Sequence, residues 1–245
     1  MKIEKIYTCT GHRAALYALA PGRDERHFLS AGGDGWIVEW DTDHPETGKL
    51  IASVESQVFS LFNFPGTGRL IAGNMNGGVH WIDTVVSDRT RNIQHHRKGV
   101  YDIIGTTGRV FTTGGDGILS RWDSETGKSE ESFQLSNQAL RCMAYSEKRR
   151  EIAVGGSDNS IYFIDSETLA LKKTLANAHN NSVFSVSFSP DNRYLLSGGR
   201  DAILRIWDLE DDFRQVSEQT AHLFTINHIT FSPDGKFYAT ASRDK

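Results

Sequence analysis

Short apolar or alternating runs recur along this chain, each broken after a few residues by Gly, Asn, Asp or Ser. Between 183 and 219 the pattern predicts four strands, Val183 to Phe188, Tyr194 to Ser197, Ile203 to Trp207 and Phe213 to Gln219. Strand side chains alternate between faces, and sheets packed between sister sheets also tolerate continuous apolar runs, so the period is 2 and helices are ruled out. The same block returns on a clock. A strand-like run ends in an apolar residue and then Asp at Asp41, Asp83, Asp123, Asp165 and Asp208, at intervals of 42, 40, 42 and 43 residues. Before each ending lies a turn of small residues, as in Ser30-Ala31-Gly32-Gly33-Asp34-Gly35 and Ser197-Gly198-Gly199-Arg200-Asp201. Tight hairpins need residues that accept positive φ or bond their own backbone, which explains the Gly, Asn and Asp there.

Three repeats end in full as Val38-Glu39-Trp40-Asp41, Ser120-Arg121-Trp122-Asp123 and Arg205-Ile206-Trp207-Asp208, while Ile82 and Ile164 replace the Trp in the second and fourth. The stretches from Phe188 to Asp201 and from Phe231 to Asp244 echo one another almost residue for residue. On these motifs the chain resembles the WD-repeat β-propeller family over essentially its whole length; that family builds four-stranded blades from repeats of about 40 to 45 residues. The resemblance implies an all-β propeller, one domain over 1–245: blades at 11–53, 54–94, 95–135, 136–177 and 178–220, and a partial sixth at 221–245. It also implies that residues 1–10 form an outermost closing strand. The sixth repeat stops after its second strand and turn, and seven blades would need roughly 295 residues, so the expectation is a fragment of a seven-bladed propeller. Left open, such an array would expose edges that invite self-association.

Four residues recur at constant offsets: His12, Ser30, Asp34 and Trp40; His96, Thr112, Asp116 and Trp122; His179, Ser197, Asp201 and Trp207. A hydrolase triad uses similar side chains, but an enzyme needs one triad and not three, and no Gly-x-Ser-x-Gly elbow accompanies them. The resemblance implies buried structural networks in which Asp orients His and the hydroxyl bridges His to the indole. Blade two offers Val54, Ala72, Asn76 and Ile82 at these places, and blade four Ser136, Val154, Asp158 and Ile164. Both are therefore expected to lack the network, to be held by apolar packing and to open more readily.

Composition narrows the function. The 245 residues are 38% hydrophobic, 10% aromatic and 24% charged, typical of a globular domain. No apolar run reaches the roughly 20 residues that cross a bilayer, and Met1-Lys2-Ile3-Glu4-Lys5 is no secretion signal, so a cytoplasmic protein without membrane contact is expected. Cys9 and Cys142 make no disulfide framework or metal motif, and the net charge of −4 argues against general nucleic-acid binding. The basic stretch from Arg89 to Lys98 reads as a solvated loop. Clustered carboxylates, metal-ligand spacings and phosphate loops are missing from the pattern, so neither an enzyme nor a cofactor is expected. The resemblance instead implies a scaffold binding a protein or peptide partner on one face. Five residues beyond the His position, its contact residues are Tyr17, Phe59, Tyr101, Arg141, Phe184 and Asn227; just before the turn Asp they are Gly33, Met75, Gly115, Ser157, Arg200 and Arg243. Alternation from Val186 and Phe188 could instead turn Phe184 inward. A sensor or regulatory domain of a longer signalling protein or enzyme, and a small-molecule site at the channel mouth, are the competing readings.

Overall fold

The computed structural model describes residues 4–244, which contain 22 strands and a single 3-10 turn at Ser87–Arg89. The strands form antiparallel sheets in chain order. The first holds β1 (Leu16–Pro21), β2 (His27–Gly32), β3 (Trp36–Asp41) and β4 (Lys49–Ser53), and the second β5 (Val58–Phe64), β6 (Arg69–Asn74), β7 (Gly78–Asp83) and β8 (Arg91–Gln94). The third comprises β9 (Val100–Thr106), β10 (Arg109–Gly114), β11 (Ile118–Asp123) and β12 (Ser129–Gln134). The fourth contains β13 (Leu140–Ser146), β14 (Glu151–Gly156), β15 (Ile161–Asp165) and β16 (Leu171–Leu175). The fifth is β17 (Val183–Phe188), β18 (Tyr194–Gly199), β19 (Ile203–Asp208) and β20 (Arg214–Thr220), and the sixth only β21 (Ile226–Phe231) and β22 (Tyr238–Ser242). Within each sheet neighbours in sequence are neighbours in space, the meander that short hairpins dictate. Residues 4–10, expected as a closing strand, carry no strand; 1–3 lie outside the described residues.

The chain divides into two compact units, one up to Ile103 and one from Ile104. In the first, Ala31, Ile37, Val58, Leu70 and Ala72 of the first two sheets form a shared core. In the second, successive sheets bury Phe111, Leu119, Leu140 and Ile152, then Ala153, Phe163, Val183 and Leu195, then Leu196, Leu204, Ile226 and Ile229. Central strands are buried on both faces, which is why β14 reads as an unbroken buried run while outermost strands such as β12 and β20 are largely exposed.

Sheet-to-sheet approach is set by glycines. A Cβ on Gly73 would stand 2.6 Å from Val100, one on Gly155 2.8 Å from Val183, and one on Gly198 2.9 Å from Ile226. The second strand of one sheet thus needs no side chain where the first strand of the next presents a β-branched residue.

Candidate protein-interaction face

The recurrent polar residues meet inside the sheets. In the first sheet His12 Nδ1 lies 2.9 Å from Asp34 Oδ2, its Nε2 is 2.8 Å from Ser30 Oγ, and the Trp40 indole N–H donates to the same Oγ at 2.8 Å. The fifth sheet repeats this with His179 to Asp201 at 3.0 Å, His179 to Ser197 at 2.7 Å and Trp207 to Ser197 at 2.8 Å. The sixth has His222 2.7 Å from Asp244 and 2.8 Å from Thr240. In the third, Trp122 donates to Thr112 at 3.0 Å and Asp116 accepts the Ile118 N–H at 3.3 Å, while His96 is buried in the other unit.

Asp34, Asp116, Asp158 and Asp201 also accept the N–H two residues on, of Trp36, Ile118, Ser160 and Ile203, and so shape their turns. Burial opposes ionisation of Asp34, yet the Arg13 N–H and His12 outweigh it and hold the carboxyl below its ordinary value. The same balance, with His179, the Asn180 N–H and Arg205 as partners, keeps Asp201 well below the usual range. A carboxylate so committed is held in place by its partners, and the arrangement recurs in several sheets.

The two degenerate sheets lack the four-residue network, but polar contacts join the apolar packing expected of them. In the fourth, Ser136 and Tyr162 both donate their hydroxyls to Asp158, the tyrosine at 2.5 Å. In the second, Asn74 donates to His80 Nε2 at 2.9 Å and accepts the N–H groups of Asn76 and Gly78. Tyr162 stands four residues after Asp158, His80 four after Asn76, and Arg205 four after Asp201, where its Nη1 donates to Asp201 at 2.9 Å. This third-strand position was missed in the sequence; its signal is a polar or aromatic residue amid apolar neighbours, where the first sheet has Val38.

The face residues are placed by a different device. Pairing between first and second strands slips between Leu16 and Ala18, Val58 and Ser60, Leu140 and Cys142, Val183 and Ser185, and Ile226 and His228. The residue skipped is Tyr17, Phe59, Arg141, Phe184 or Asn227. A bulge re-aims the side chain it carries, so alternation does not drive Phe184 inward; it remains partly exposed. In the first unit Tyr17 meets Phe59 edge-on at 5.2 Å between ring centres and Phe59 stacks on Tyr101 at 5.6 Å, a ladder one rung per repeat. Tyr17 is 50% exposed and Met75 44%. In the second unit the Arg141 guanidinium lies 5.5 Å from the Phe184 ring centre.

The turn positions stand beside the bulges. The N–H groups of Gly33, Met75, Ser157 and Arg200 bond to the carbonyls of Ala15, Gln57, Ala139 and Ser182, two residues before each bulge. Contact follows: Arg141 Nε donates to Ser157 Oγ at 2.8 Å, and a Cβ on Gly33 would be 3.6 Å from Tyr17. Arg200, Asn227 and Arg243 are exposed, whereas Gly115 is buried.

Four-stranded antiparallel blades on a repeat of about 42 residues, tied by Asp–His–hydroxyl–Trp networks, define a β-propeller repeat protein. The family described as "WD domain, G-beta repeat" matches residues 3–41, 170–208 and 213–245 of this chain. It is similar to the guanine nucleotide-binding protein G(I)/G(S)/G(T) subunit beta-1 of Homarus americanus, 28% identical over 166 residues, 62% of this chain and 46% of that protein. It is also similar to the guanine nucleotide-binding protein subunit beta of Lymnaea stagnalis, 30% identical over 139 residues, 51% of this chain and 38% of that one. The chain thus spans less than half the length of either relative.

Proposed function

We propose that this WD-repeat chain is a non-enzymatic scaffold that binds a protein or peptide partner on the face carrying the bulge and turn residues. The observation that carries the reading is the bulge at one repeat position. Five strand pairs spend an unpaired residue there, and the side chains so presented are mostly large aromatics or arginine, the types that supply interaction hot spots. Both relatives are named as subunits, which accords with a role in protein assembly.

A catalytic reading finds less support. A cleft of about 460 Å³ in the first unit is lined by Arg23, Asp24, Glu39 and Lys49 among others. Arg23 there lies 3.4 Å from Glu39 and 3.8 Å from Asp24, so these carboxylates are engaged in ion pairs.

The test is capture of partners by the full chain from its source cells, with mass spectrometry of what is retained. Phe59→Ala and Tyr101→Ala should each weaken retention at least tenfold, since a hot-spot aromatic is worth about 2 kcal/mol or more, while the melting temperature moves little. Undiminished capture by both variants would remove the face from the account.

A further inference from the structure

We propose that the bulge and turn residues of the second unit recognise an acidic, extended peptide, with carboxylates taken by Arg200 and Arg243 and an apolar side chain laid on Phe184. The inference rests on the protein-interaction reading above and names the chemistry of the partner.

Placement comes first. Arg141 touches Ser157 within its own sheet and Phe184 of the next, so bulge and turn positions form one continuous strip. Arg200 occupies the place of Ser157 one repeat on, held by the same backbone bond, 2.9 Å to Ser182 against 2.7 Å from Ser157 to Ala139. Arg200 therefore emerges beside Phe184, and Arg243 holds the same repeat position in the sequence, sixteen residues after Asn227 as Arg200 is after Phe184.

Charge comes second. Several other arginines of the chain are paired: Arg109 with Glu130 and Glu167, Arg149 with Glu151, Arg193 with Asp208, Arg214 with Asp211. Among the described residues, Arg200 and Arg243 make no ion pair. Their sequence neighbours do not neutralise them either. Asp201 is committed to His179 and Arg205, and Asp244 to His222 and the Leu223 N–H. Two exposed guanidiniums with free forks are suited to carboxylate, which they bind bidentately.

Continuity and sign select the ligand. The Arg141 guanidinium lies against the Phe184 ring of the next sheet, 5.5 Å to the ring centre, so side chains of successive repeats meet along this strip, and an extended peptide turns alternate side chains to one face. With a net charge of −4, the protein lacks the broad basic surface that a nucleic acid needs, and a local pair of arginines fits a few acidic side chains.

The experiment is a fluorescence-anisotropy titration of the full chain with a dye-labelled Glu-Leu-Glu-Leu-Glu peptide and its Gln-Leu-Gln-Leu-Gln counterpart. We expect the Glu peptide to bind at least tenfold more tightly, the difference shrinking when NaCl is raised tenfold. Arg200→Glu and Arg243→Glu should each weaken the Glu peptide at least tenfold, and Arg200→Lys less. If a charge reversal fails to fold, the comparison of the two peptides on the unmodified chain still decides. Equal binding of both, binding of neither, or binding only of a phosphoserine counterpart would overturn the proposal. Should the arginine variants keep the captured partners while Phe59→Ala and Tyr101→Ala lose them, the acidic-peptide inference alone falls.

Discussion

Side-chain substitutions in this repeat are compensated locally. Where the fourth sheet loses the Trp, Tyr162 on the same strand reaches the turn carboxylate of Asp158, and burial together with that acceptor pushes the phenol above its ordinary value. Tyr162→Phe removes one donor and leaves Ser136 and the Ser160 N–H on Asp158. Asp158 is half-buried, and losing one such hydrogen bond costs about 1 kcal/mol. Urea unfolding should show that loss, and an unchanged midpoint would mean that the hydroxyl does not matter. Arg205 is the analogous late partner of Asp201, buried and shared with Glu218. Neither belongs to the four recurring residues, because each appears once and recurrence is what made the others visible.

One element that should answer to pH is the hairpin of β6 and β7. His80 accepts a hydrogen bond from Asn74 through its Nε2 lone pair, which requires the neutral ring there, and burial pushes its pKa below the ordinary 6.5 while Glu55 opposes weakly. A histidine whose folded value is lowered binds its proton more readily when unfolded. Stability is therefore full above about pH 6.5 and declines as the pH falls from there toward the folded value. Amides of β6 and β7 should exchange faster at about pH 5.5 than at about pH 7.5 once intrinsic rates are corrected, whereas those of β18 and β19 should not. Equal protection at both pH values would show that the Asn74–His80 bond does not hold the hairpin.

At the scale of the molecule, each sheet packs on its neighbours in the chain, so damage should spread one repeat and stop. Gly198→Val tests this. Its Cβ would begin 2.9 Å from Ile226, and overpacking of this kind costs about 1 to 3 kcal/mol. Hydrogen exchange should quicken in β17, β18, β21 and β22 and stay unchanged in β10 and β11; a uniform rise would mean that the second unit opens as a whole.

The 42-residue clock, the strand alternation and the Gly-Asp turns were enough by themselves to place five four-stranded sheets and a two-stranded sixth. Each is a local signal: period-2 burial, turn chemistry and a fixed offset between His, hydroxyl, Asp and Trp need no knowledge of distant contacts. The pairing partners of the face residues were not legible in that way. Alternation alone leaves the direction of Phe184 open, and only the bulge in the β17–β18 ladder turns it, because register belongs to two strands and not to one. The same holds for Arg200. Its freedom from a counter-charge depends on Asp201 being drawn to His179 and Arg205, contacts made across strands that the linear order of residues does not contain.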